Sequence, residues 1–196
     1  MHVVFGIGNP GPEYDGTRHN LGFRVVDALV AAARGAFERL PGPPGVAARV
    51  RLEGMPALLV KPLTYVNRCG PVLAALVERE GIALAQCLVV TDDFHLPLGH
   101  ARLREGGSDG GHNGLRSLIE TLGTEAFPRL RLGVGEPQGV PAERYVLEPF
   151  PPEEREAAEN AVGKGAEGVR LWLRLGPERA MSELNRRDLD PPPTPA

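Results

Sequence analysis

Short apolar runs that each stop at a polar residue constrain this chain more than any other feature. Asn9, His19, Asn67, Asp92 and Asn113 stand at the ends of apolar or glycine-rich stretches in four separate segments. No segment holds a complete catalytic set. Short apolar runs bounded by turn residues read as buried strands, and open α/β sheets bind ligands beyond the carboxyl ends of their strands. The five polar residues are therefore expected to meet at one sheet edge and to form one pocket.

The rest of the pattern supports such a sheet. HVVFGIG, residues 2–8, reads as a buried strand stopped by Asn9-Pro10-Gly11-Pro12. Asn20 is placed to cap a helix over LGFRVVDALVAAARGAF, in which Phe23, Val26, Leu29 and Val30 share one face. AARVRL and PALLVK flank Glu53-Gly54 and predict an antiparallel hairpin, which makes the sheet mixed. A helix is expected around Pro71–Glu80, followed by CLVVTD, a second central strand ending in Asp92. In HARLRE, Ala101 and Leu103 alternate with Arg102 and Arg104, so both guanidinium groups leave one face. GGSDGG connects to a helix starting near Asn113, then to the strand RLRLGVG and a short strand RYVL. Helices follow over 153–175 and 178–187. The expected result is a single α/β domain over 1–187, a mixed twisted sheet flanked by helices, with 188–196 as a disordered tail.

Bulk properties narrow the function. A chain of 196 residues suits one domain with a sizeable core. Its net charge of −3 argues against nonspecific coating of nucleic acid, which needs many neutralised phosphates. The balance is uneven: residues 1–131 carry 14 basic and 13 acidic groups, whereas residues 132–196 carry 8 and 12. A local basic patch in the first part would serve a small RNA contact. Cys69 and Cys87 lie in different elements without a CxxC pattern, which fits a reduced, cytoplasmic setting. The amino terminus runs directly into a strand without a signal-peptide pattern, and no apolar run is long enough for a membrane span.

Three motifs compete for the chemistry. Gly6-Ile7-Gly8-Asn9-Pro10-Gly11 matches GxGxxG, but Pro10 and Pro12 delay the helix that a dinucleotide site requires, and PALLVK ends in Lys61 rather than an acid. The glycines are then expected to form a tight turn that positions Asn9. Gly106-Gly107-Ser108-Asp109-Gly110 matches GxSxG, yet the one histidine downstream of the serine is His112, four residues on and too local for a hydrolase triad. A flexible loop that brings backbone N–H groups to an anion is the better reading. Asp92, Asp93, His95 and His100 offer metal-ligand types, but consecutive strand residues point to opposite sides and no tight ligand spacing appears. His19 is the strongest candidate base. A carboxylate such as Asp92 on one ring nitrogen fixes the tautomer and lets the other nitrogen take a proton from water. Side-chain amides of Asn67 and Asn113 are suited to a carbonyl and its developing oxyanion.

GIGNPGPEYDGTRHNLGF, KPLTYVNRCG, DDFHLPLG and GGSDGGHNGL, in this order and spacing, closely resemble bacterial-type peptidyl-tRNA hydrolases from about Val3 to Phe150. The resemblance implies a single α/β domain with a mixed sheet, normally monomeric, and the esterase expected from it together with the residue pattern uses no cofactor or metal. It also implies hydrolysis of the ester between a peptide and the tRNA 3′ ribose. It makes His19 the base, Asp92 its supporting carboxylate and Asn9 the residue that helps select N-blocked substrates. Tyr14, Tyr65, Asn67 and Asn113 fall on positions that contact the peptide and the 3′ end, and His112 is part of the same motif. Arg102, Arg104 and Arg131 match basic positions that meet acceptor-stem phosphates. Val66, Cys69, His95 and Glu136 depart from the usual pattern, and Cys69 is expected to be packed rather than nucleophilic. The rival readings are a noncatalytic RNA-binding module that grips acceptor stems and a metal hydrolase.

Overall fold

A computed structural model describes residues 1–189, and side chains through Arg187. The tail expected over 188–196 lies outside these residues, except that the last helix runs to Leu189. The strands are β1 (His2–Gly6), β2 (Glu38–Arg39), β3 (Gly45–Leu52), β4 (Met55–Pro62), β5 (Cys87–Asp93), β6 (Ala101–Arg104) and β7 (Arg129–Gly133). The helices are α1 (Leu21–Ala32), α2 (Gly70–Glu80), α3 (Asn113–Leu122), α4 (Ala142–Tyr145), α5 (Arg155–Leu175) and α6 (Pro177–Leu189). One sheet of order β2-β3-β4-β1-β5-β7-β6 runs through the middle. Its four central strands, β4, β1, β5 and β7, are parallel, and the flanking strands are antiparallel. The mixed α/β sheet expected from the pattern is what forms.

Side-chain alternation splits the core into two layers. Val4, Leu59, Leu88, Val90, Leu130 and Leu132 pack with α1, α5 and α6 on one face. Val3, Phe5, Leu58, Val60 and Val89 pack with α2 and α3 on the other. A slip of one residue in any central strand would exchange these two sets, so burial on both faces fixes the register. The β3–β4 hairpin turns at Glu53 (φ 52°) and Gly54 (φ 77°), two left-handed residues in a row, the geometry that matches the strand twist in a two-residue turn.

From β1 the chain goes to β4 on one side of the sheet and later returns to β5 on the other. The order therefore reverses between β1 and β5, where ligands bind in open α/β sheets. Gly22, in the first turn of α1, holds that end together. A Cβ there would lie 2.4 Å from Val90 O and 2.5 Å from Ile7 O, so only glycine lets α1 come so close to β1 and β5. Gly6 is equally tight, its Cβ position being 2.5 Å from Gly22 O, and a Cβ on Gly8 would enter the Phe23 ring. These glycines of the GxGxxG match are spent on helix packing.

Three local expectations change, and one element is new. Asn20 makes no side-chain cap on α1, because its amide is used elsewhere. The helix stops at Ala32 rather than near Phe37: Arg34 turns left-handed (φ 52°), and Gly35 N–H then bonds back to Val30 O. RYVL is not a strand. Residues Ala142–Tyr145 form a short helix after Pro141, and Val146 N–H bonds to Ala142 O, so the extended preference of Tyr and Val yields to local turn bonds. The two-residue strand β2 was not anticipated, and it is too short to carry a periodic signal.

Replacing Gly22 with alanine is expected to cost about 3 kcal/mol of stability, through overpacking against two carbonyl oxygens. Urea unfolding checks this, and a Gly22→Ala protein as stable as the parent would contradict the close approach.

Candidate active site

Asp92 is the last but one residue of β5 and is almost fully buried. Two histidines converge on it. His19 lies in a 3-10 turn, Arg18–Asn20, that leads into α1. His112 occupies the N-cap of α3, which covers the opposite face of the sheet. His19 Nδ1 is 2.9 and 3.0 Å from the two Asp92 carboxylate oxygens, and His112 Nε2 is 3.0 Å from Oδ1. The two imidazole rings are 4.8 Å apart.

The hydrogen bonds fix both tautomers. His112 Nδ1 accepts from the backbone N–H groups of Gly114 and Leu115, so its proton is on Nε2. That proton is shared between Asp92 and Thr91 Oγ1, the latter at 2.7 Å. His19 Nδ1 must donate to the carboxylate, which leaves Nε2 as the free nitrogen on the groove side. Burial alone would raise the Asp92 pKa, but the two imidazoles beside it and the hydrogen bonds they donate outweigh burial and hold the carboxyl well below its usual range. Burial alone would lower the His19 pKa, but the charge and hydrogen bond of Asp92 leave it above the ordinary 6.5.

His19 opens onto a groove of about 340 Å³ lined also by Asn9, Tyr14, Tyr65, Val66, Asn67, Arg68, Asn113, Glu143, Val146 and Leu147. Every predicted peptide-side residue is therefore on this wall. Asn9 is the most tightly held. Asn20 brackets its backbone, Oδ1 accepting from Asn9 N (2.8 Å) and Nδ2 donating to Asn9 O (3.0 Å). Asn9 Oδ1 accepts from Val66 N at 3.0 Å, so the amide cannot flip and Nδ2 is what it offers to the groove. Asn113 Oδ1 faces Arg116 at 3.4 Å, which again leaves the amide nitrogen. Asn67 is exposed, and Tyr14 and Tyr65 meet edge to face at 6.5 Å. Cys69 is buried beneath, its thiol pushed up to about 12 by desolvation, so it is packed as expected.

These observations agree with a direct comparison. The profile of the family described as peptidyl-tRNA hydrolase matches residues 3–192. The chain belongs to the peptidyl-tRNA hydrolase family. The peptidyl-tRNA hydrolase of Aquifex aeolicus is 43% identical over 192 residues, covering 96% of this chain and 98% of its own. That of a Synechococcus species is 44% identical over 198 residues, covering 98% and 86%. The crystal structure of peptidyl-tRNA hydrolase from Acinetobacter baumannii superposes with a TM-score of 0.86 at 34% identity over 94% of each chain.

In this chain the arginines lie beside the His19 groove rather than in it. Arg104 and Arg131 line a second groove of about 170 Å³ with Asp92, Asp93, His112 and the loop over 106–110. Arg102 faces the same way and pairs in register with Arg131, as Arg104 does with Arg129. Like charges directly opposed across strands repel. Asp93 offsets this by an ion pair with Arg131, while Arg129 is buried and donates to the carbonyls of Gly107, Ser108 and Glu125. Burial lowers the Arg129 pKa to about 10.

The metal set considered from sequence does not assemble. Asp93 turns to Arg131 and to the His95 N–H, away from Asp92. The grouping of ligand types found among the described residues is instead His19, Asp92 and His112, within 4.8 Å. Sequence reasoning gave His112 no definite part and missed Arg18 and Arg129. The one available signal was an arginine between Thr17 and His19, directly before an apolar helix.

Because Asp92 is what lifts His19, the sign of a titration is fixed. In a pH titration of the imidazole by NMR, His19 of the parent protein should titrate above 6.5. In Asp92→Asn only burial remains, and the midpoint should fall below it. An unchanged midpoint would break the electrostatic link.

Proposed function

We propose that the chain hydrolyses the ester between a peptide, or an N-blocked aminoacyl group, and the tRNA 3′ ribose. His19 Nε2 acts as the general base on water, and Asp92 orients and stabilises the imidazolium that forms. The observation that carries this reading is the His19 imidazole, fixed on a buried carboxylate through Nδ1, beside three side-chain amides on one groove wall. Water is the direct nucleophile. The groove lining holds no serine, threonine or cysteine, and the Cys69 thiol is buried and hard to ionise. No covalent enzyme intermediate is needed.

Asn67 and Asn113 donate to the carbonyl and to the oxyanion that replaces it, where preorganised donors have their largest effect. Asn9 contributes to selectivity. With Oδ1 occupied by Val66 N–H, it presents only N–H groups. A blocked peptide supplies carbonyl oxygens to such a donor, whereas a free α-ammonium brings more donors and stays unpaired, which is costly once desolvated. Tyr14 and Tyr65 flank the peptide and the 3′ nucleotide. Arg102, Arg104 and Arg131 meet acceptor-stem phosphates, and the groove that Arg104 and Arg131 line adjoins the reactive one through Asp92 and His112. The enzyme works as a cytoplasmic monomer.

The reaction is metal-independent in this reading. The His19–Asp92–His112 grouping could be taken for a metal site, but hydrogen bonds account for its spacing: both histidines point a donor nitrogen at one carboxylate, and the remaining His112 nitrogen is held by α3. A metal hydrolase would lose activity after exhaustive dialysis against a chelator, whereas full retention is expected.

His19→Ala is expected to lower hydrolysis of N-acetyl-aminoacyl-tRNA by about 10²–10⁴, the usual worth of a positioned base. The protein should keep the parent circular dichroism spectrum. Turnover near that of the parent would reject His19 as the base. Binding of the substrate by the parent protein without release of the acyl group would favour the RNA-binding module instead.

A further inference from the structure

We infer that Arg18 is a positioning residue for the hydrolytic reaction: it ties the outer wall of the groove to the turn that carries His19. The inference rests on the proposed role of His19 and deepens it. Arg18 is almost fully buried although it sits at the surface end of the sheet. Its guanidinium spans three partners from one distant segment. Nη1 donates to Glu148 O (3.2 Å) and Pro149 O (3.0 Å), and Nη2 pairs with Glu154 at 2.7 Å. The same group stacks on Tyr145 at 4.2 Å and lies 5.1 Å from Phe150. A planar fork with a delocalised charge can make all these contacts at once, and a lysine cannot.

The backbones follow the side chain. His19 N–H donates to Val146 O at 2.8 Å, Arg18 N–H to Glu148 O at 3.2 Å, and Thr17 forms an isolated bridge with Pro149. Val146 and Leu147, with Glu143 one turn earlier, are the groove wall facing His19. Tyr145 in turn donates its hydroxyl to Val134 O, beyond the end of β7, and so anchors the strap to the sheet. Arg18 therefore sets two things together: the place of the wall against the substrate, and the position of the His19 backbone from which the imidazole reaches Asp92. The strap is not a free lid, since α5, which follows it, packs into the main core.

Arg18→Lys and Glu154→Gln, made in the full chain, test this. Arg18→Lys should lower kcat/KM on N-acetyl-aminoacyl-tRNA by about 10- to 100-fold, the scale on which a small misplacement of reacting groups acts. The rise of kcat/KM with pH should also move to lower pH, because an imidazole turned from Asp92 loses what lifts its pKa. Glu154→Gln, which leaves both carbonyl contacts, should change both quantities in the same direction but less. Should Arg18→Lys not fold, Glu154→Gln carries the test. A folded variant whose pH profile matches the parent, whether its rate is normal or reduced, would leave Arg18 as a structural residue and overturn the inference. If instead His19→Ala retains activity, the proposed base is at fault rather than the part given to Arg18.

Discussion

One buried carboxylate serves two imidazoles, and most of the site depends on that sharing. An ion in the interior is tolerated only when partners replace its hydration. Asp92 has no solvent to turn to, and His19 and His112 supply three short contacts to its two oxygens. Neither histidine is interchangeable with the other. His112 is locked from both sides, by two backbone N–H groups of α3 on one nitrogen and by Asp92 and Thr91 on the other, so toward the carboxylate it acts only as a donor. His19 has one nitrogen on the carboxylate and one on the groove, which makes it the member able to exchange a proton. The inert partner matters because it takes part of the carboxylate's charge. It moderates how strongly Asp92 can raise the basicity of His19.

The sheet explains why these groups meet. β1 and β5 are neighbours, and the order of strands reverses between them. Helix α1 rises on one face of the sheet and α3 on the other, so the residues just before the two helices reach the same strand end from opposite sides. Glycines make that approach short enough. A side chain at Gly22 would collide with Val90 O, and one at Gly114 would meet Val66 (2.8 Å), His112 and Ile7 (both 2.9 Å). The distance between His19 and His112 is thus set by backbone packing, before either imidazole makes a bond.

How much of this was legible from sequence follows from the range of each signal. Strands and the Glu53-Gly54 turn were readable because alternation and turn chemistry are local. His19, Asp92 and the asparagines were readable as a group because each borders an element near the edge where open sheets bind ligands. The roles proposed for them needed the resemblance as well. Arg18 was not readable, because its meaning lies in Glu148, Pro149 and Glu154, more than a hundred residues away. Asn20 was misread for the same reason: its position matches a helix cap, but Asn9 competes for the amide and wins with two buried hydrogen bonds. RYVL failed because β-propensity reports a preference for half-buried pleated surface, and this segment instead lies against a buried guanidinium.

The opposing forces on His19 bear on how well such a base can work. Each unit by which a pKa exceeds the ambient pH removes about tenfold of the free base. The gain in basicity returns less than that, since proton transfer in the transition state is partial. A strong carboxylate acting alone would therefore overshoot. Here burial pulls the His19 pKa down while Asp92 pulls it up, and the net displacement is upward. A more exposed His19 would keep less of the partner's field, and a dry one without Asp92 would be too weak a base to deprotonate water. The buried position that opens on one side only, set by the turn that Arg18 holds and by the groove beyond it, is what lets one imidazole be basic and yet free to act.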